Sequence, residues 1–126
     1  MSEKVVKNWL ALAEFETAKA MLKSGRYRYV AFICQQCIEK TLKAIFVQEY
    51  REIPPYTHNL IVLAKKLSCA NEIMQIHRGF LERLNAFYIE SRYAEAIDEI
   101  SRGLTESACV QLLLQTEEFF GWLKTK

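Results

Sequence analysis

The residues best placed to do chemistry lie on one stripe of a single predicted helix. Successive residues of an α-helix turn by about 100°, so Phe32, Gln36, Glu39, Lys40 and Lys43 fall within one arc of roughly 100°. The opposite arc carries Val30, Cys34, Ile38, Leu42 and Ile45. On a later predicted helix, Leu81, Asn85, Tyr88 and Arg92 share one narrow face, with Tyr93 beside it. Both faces mix apolar residues with groups that bind anions or bases, and they could meet across a groove. Lys40, Lys43 and Arg92 suit phosphate oxygens, Arg92 in bidentate fashion, and an aromatic ring can stack on a base.

The plain alternative for the stripe is a solvated side on which Glu39 and Lys43 form an ordinary pair at i and i+4, worth a few tenths of a kcal/mol. If the stripe were buried, Glu39 would need a cation such as Arg92 or a lysine, because an unpaired buried charge costs several kcal/mol. His58, between Thr57 and Asn59, has an imidazole suited to general acid–base work, or else caps a helix and orients its loop. His77, beside Arg78, reads as a solvated surface residue. Cys34 and Cys37 have the bare C-x-x-C spacing, but they fall inside an apolar helix without two further ligands. They read as small core residues rather than as a metal or redox site. No Gly-rich phosphate loop or paired-carboxylate signature is present, and no metal or cofactor is expected.

The elements that must position these groups are helices. The chain has 126 residues, two prolines and four glycines, so breakers are rare and uninterrupted stretches are long. An apolar fraction of 51% with 25% charged residues suits one globular domain spanning residues 1–126. Lysine and arginine exceed the acids by only two, which excludes a global positive field for nucleic acid, so any RNA contact would be local. The start of the chain lacks a signal peptide's apolar core, and no stretch approaches a membrane span. A cytoplasmic protein with no membrane partner and four reduced cysteines is the expectation.

The spacing predicts a first helix over about 3–24 with Gly25 as its C-terminal cap, and a second over about 26–50, ended by the Pro54-Pro55 pair. Thr57 is taken as the N-cap of a short third helix carrying Leu60, Ile61, Leu63, Ala64 and Leu67. A fourth helix runs over about 72–93 with Ile73, Ile76, Phe80, Leu84, Phe87 and Tyr88 inward, weakened at Gly79. Beyond Gly103, Ala108, Cys109, Leu112, Phe119, Phe120 and Leu123 form one stripe of a fifth. Four long helices with short connections pack most simply as an all-α, antiparallel up-and-down four-helix bundle, the short helix being an extra crossover element.

Three blocks carry a resemblance. They are the string from Ala31 to Ala44, containing Gln35-Gln36-Cys37-Ile38-Glu39-Lys40-Thr41-Leu42-Lys43, then Thr57-His58-Asn59-Leu60, then Tyr88-Ile89-Glu90-Ser91-Arg92-Tyr93. In this order the chain resembles the HEPN domain family over nearly its whole length. The resemblance implies a bundle of four to five helices that often dimerises. It also implies frequent encoding beside a minimal nucleotidyltransferase as half of a toxin–antitoxin pair. Some members have been proposed to bind nucleotides, and others are metal-independent ribonucleases with an Arg, four to six residues and a His late in the bundle. Here Ile97, Asp98 and Glu99 stand where that histidine would fall, and no histidine follows His77. Arg51 and His58 match the count, but in the Pro-Pro loop rather than at the family's position, where the match reads as chance.

Two function classes and a third reading follow. The first is a binding subunit that holds a nucleotide or RNA phosphate in the groove between the second and fourth helices, lined by Gln36, Glu39, Lys40, Lys43, Tyr88, Arg92 and Tyr93. Its partner would be a nucleotidyltransferase subunit. The second is a ribonuclease toxin working through Arg92 with His58 or Tyr88 in place of the missing histidine. The third is a non-catalytic dimeric interaction module whose stripe is an interface.

Overall fold

Residues 15–89 and 102–126 are described in the computed structural model. They form α1 (Phe15–Lys23), α2 (Tyr27–Tyr50), α3 (Leu60–Lys65), α4 (Ala70–Ile76), α5 (Arg78–Ile89) and α6 (Glu106–Leu123), with no strand among the described residues. This is an all-helical bundle, as the periodicity requires. The expected start of the first helix and the expected end of the fourth, including Arg92 and Tyr93, lie outside the described residues.

The α1–α2 turn is made by Gly25, whose φ of 74° only glycine adopts without strain. Its N–H donates to the Leu22 carbonyl at 3.1 Å, and the Arg26 N–H reaches back to the Met21 carbonyl at 2.9 Å. That pair of bonds is a Schellman motif, so the glycine acts as the cap its position suggests.

α2 packs against α1, α3, α5 and α6, and so occupies the centre. Buried residues run along most of its circumference, including Val30, Cys34, Ile38, Thr41, Leu42, Ile45 and Val47. A helix apolar nearly all round can be stable in water only when surrounded in this way. The buried hydroxyls of Thr41 and Thr116 donate back to the carbonyls of Cys37 and Leu112, each at 2.8 Å, which satisfies them within their own helices. α2 ends at Tyr50, four residues before Pro54, because Arg51 turns left-handed and its N–H closes on the Val47 carbonyl at 2.8 Å.

The structure corrects four local expectations. The N-cap of α3 is Asn59, whose side chain accepts from the N–H groups of Ile61 (3.0 Å) and Val62 (3.3 Å). Thr57 instead accepts from the Asn59 N–H at 3.1 Å, one step earlier, and shapes the approach to the helix. The single helix expected over 72–93 is divided at His77, which leaves helical geometry with φ −114° and ψ 2°. The ladder survives the break: the His77 N–H donates to Ile73 at 2.7 Å and the Leu81 N–H to His77 at 3.1 Å.

His77 is therefore not a solvated surface residue. Its ring lies 4.5 Å from that of Phe119 and 5.1 Å from that of Trp122, both on α6, and burial pushes its pKa down from the usual imidazole value. Ile76, expected inward, is 68% exposed, because the break turns it away from the core. Among the described residues no helix is long and apolar enough to cross a membrane.

The cap assignment carries a stability expectation. Asn59→Ala should lower the unfolding free energy by about 1 kcal/mol in a denaturant titration, the usual cost of losing an N-cap, and Thr57→Ala by clearly less. Equal losses would contradict it.

Candidate functional site

Glu39 lies on α2 with its side chain only 10% exposed. A carboxylate that deep must be matched by donors, and α2 itself supplies two of them. Gln35, at i−4, donates Nε2–H to Oε1 at 3.1 Å. Lys43, at i+4, donates from Nζ to Oε2 at 3.1 Å. Residues four apart are neighbours on a helix face, so this part of the arrangement follows from local spacing alone.

The third donor comes from a distant segment. His58 Nδ1 lies 3.0 Å from Oε1 and 2.9 Å from Oε2 of Glu39. The Gln35 amide also donates to the His58 carbonyl at 3.1 Å, so one side chain holds both the carboxylate and the histidine's backbone. The segment is further tied to α5: Asn85 Oδ1 accepts the Leu60 N–H at 2.8 Å, and its amide donates to Asn59 Oδ1 at 3.0 Å.

Because Nδ1 faces a carboxylate, it carries the hydrogen, and the ring is held in one orientation. In neutral imidazole this leaves Nε2 as a lone-pair acceptor; in the protonated ring Nε2 is a second donor. Tyr88 of α5 stacks on the imidazole at 4.2 Å between centroids, and Phe32 of α2 lies nearly parallel to Tyr88 at 6.0 Å. The site is thus a buried carboxylate, a lysine and an oriented imidazole backed by two aromatic rings, with 40% of the His58 side chain exposed.

The three sequence blocks now have positions: Ala31–Ala44 on α2, Thr57–Leu60 at the start of α3, and Tyr88 on α5, all converging on Glu39. The family model of the HEPN domain matches residues 6–126. The chain belongs to the HEPN domain family. No curated protein matches it, and no solved structure matches it.

In this HEPN domain the stripe read from the sequence is covered where it matters most. Glu39 is buried, so the solvated-side account does not hold for it, and its partners are Lys43, Gln35 and His58. Gln36 and Lys40 are half-buried on the flanks of the stripe. Arg92 and Tyr93 lie outside the described residues. Gln35, absent from the anticipated site, was legible in its i−4 spacing to Glu39. Asn59 and Asn85 act through the loop rather than on the carboxylate, and no local pattern announces a contact between residues 26 apart.

The cysteines stand apart from this chemistry. Cys34 and Cys37 are buried, and burial pushes their thiols up to about 11 and about 12, so both remain protonated core groups. Among the described residues no group of three or more His, Cys, Asp or Glu is placed to hold a metal ion.

Removing Lys43's charge leaves the buried carboxylate with only the Gln35 amide and the imidazole among these contacts. Lys43→Met should destabilise the protein by roughly 3 kcal/mol in chemical denaturation, as for other broken buried pairs. Combining it with Glu39→Gln should cost less than the sum of the single losses, with a coupling of roughly 1 to 3 kcal/mol. Strict additivity would show that the pair contributes nothing.

Proposed function

We propose that this HEPN domain is a binding subunit that takes a nucleotide or RNA phosphate on the face shared by α2 and α5, beside the Thr57–Asn59 segment. The observation that carries this reading is the clamping of His58 and Lys43 on one buried carboxylate. Lys43 has three N–H donors and, among the described residues, uses one on Glu39, so two can serve an anion. The exposed part of His58 adds a further polar group, and Lys40 adds charge on the flank. Since Glu39 fixes these groups before any ligand arrives, less ordering entropy is lost on binding.

The sequence adds Gln36, Arg92 and Tyr93 to the expected site, with Arg92 as the bidentate phosphate ligand. The resemblance to HEPN pairs makes a minimal nucleotidyltransferase the natural protein partner in a toxin–antitoxin arrangement, with a second copy of the chain as the other. Calorimetric titration with ATP, GTP and a short RNA at two salt concentrations tests the phosphate site. Binding should weaken with salt, as phosphate contacts do, and fall by about tenfold or more in Lys43→Ala combined with Arg92→Ala. Unchanged affinity in the double variant would remove this face as the site.

One observation favours a second reading, an endoribonuclease. A carboxylate on Nδ1, which leaves Nε2 as the nitrogen for a substrate, is the arrangement of a general base. His58 Nε2 would take the proton of a ribose 2′-hydroxyl, whose oxygen attacks the adjacent phosphorus to form a 2′,3′-cyclic phosphate and expels the 5′-oxygen, which takes its proton from water, while Lys43 or Arg92 neutralises the phosphate. On this reading, purified protein cleaves RNA without added metal, and His58→Ala and Arg92→Ala each abolish cleavage. Equal activity in the variants and the parent would mark a contaminant.

A further inference from the structure

Tyr56 is fully exposed, yet its backbone is held. Two prolines precede it, and the Thr57 N–H donates to the Pro55 carbonyl at 3.0 Å, a three-residue turn with Tyr56 at its apex. The following residue, Thr57, is locked in turn by the Asn59 N–H on its hydroxyl. A stiff backbone therefore holds an aromatic ring in solvent, 6.4 Å from the ring of His58 and tilted 57° to it. The imidazole itself cannot turn, because Glu39 holds one edge and Tyr88 is stacked on it.

We propose that Tyr56 and His58 form a slot for the flat base of a nucleotide, with Tyr56 as its outer wall. This rests on the phosphate-site reading above and says how the same site tells a nucleotide from a bare phosphate. Two aromatic contacts of about 3.5 Å each require roughly 7 Å between the enclosing rings, a little more than the 6.4 Å observed. Rotation of the unpacked Tyr56 side chain removes the tilt and supplies the difference without disturbing any core contact. The base then lies between a mobile wall and a fixed one, with its phosphate directed to Lys43 and Lys40. Stacking of this kind tolerates every base, since each has a π-face, so the slot selects for the presence of a base rather than for its identity.

The test compares AMP with ribose 5-phosphate, which keeps the sugar and phosphate and lacks the base, by calorimetry on the whole protein. The unaltered chain should bind AMP more tightly than ribose 5-phosphate. Tyr56→Ala should weaken AMP about tenfold and leave ribose 5-phosphate unchanged, while Tyr56→Phe should match the parent. Because the ring packs on nothing, the variants should unfold at the parent's denaturant midpoint, so a loss of affinity is not a loss of fold. Equal affinity of the parent for the two ligands, or an AMP affinity untouched by Tyr56→Ala, would overturn the slot alone. Binding of neither ligand by the parent would overturn the phosphate site and the slot with it.

Discussion

A carboxylate withdrawn from water is the constraint around which this domain is arranged. Taking Glu39 into the bundle costs several kcal/mol in lost hydration, and only a complete set of donors offsets that cost. Two donors are local, one helical turn to either side on α2. The third, His58, comes from a segment with no regular structure, and the bond on which it closes ties that segment to the central helix. Once His58 is held, Asn59 is in place to cap α3, and Asn85 of α5 bonds to both the cap and the first N–H of the helix. The loop, the short helix and the facing helix are thus tied together by one polar network.

The same interaction prepares the chemistry. A free surface histidine samples several rotamers and both tautomers; one held by a buried carboxylate has a single orientation and a defined outward nitrogen. Tyr88 reinforces this by stacking on the ring, and Phe32 extends the aromatic floor beneath it. In the ribonucleases of the family the histidine belongs to a late Arg–His motif. Here the fold brings an imidazole from the loop before α3 to the face shared by α2 and α5. Fold membership alone does not establish a reaction, and this chain has its titratable groups in a different order along the sequence.

Away from this site the bundle shows how tertiary contacts override local expectation. His77 has the polar neighbours of a surface residue, yet it packs on Phe119 and Trp122 of α6 and breaks the helix at that point. The rearrangement exposes Ile76, an apolar residue whose spacing places it inward in a straight helix. The Cys34–Cys37 pair illustrates the opposite case. Its spacing permits a metal or redox site, but helix periodicity puts both thiols in the core, and burial there keeps them protonated.

The amino-acid sequence by itself determined the helical class and the glycine cap at Gly25. These follow from short-range rules of period, capping and composition that need no partner across space. It also contained the Gln35–Glu39–Lys43 ladder, because residues four apart on a helix are necessarily neighbours. Whether that ladder faces water or the interior was a matter for the tertiary structure alone, since burial depends on what packs over a face. The choice of Asn59 over Thr57 as cap, the meeting of His58 with Glu39 and the bond from Asn85 were settled in the same way. Each joins residues separated by long stretches of chain or chooses between two locally competent groups, and only the packed arrangement makes one of them cheaper than the other.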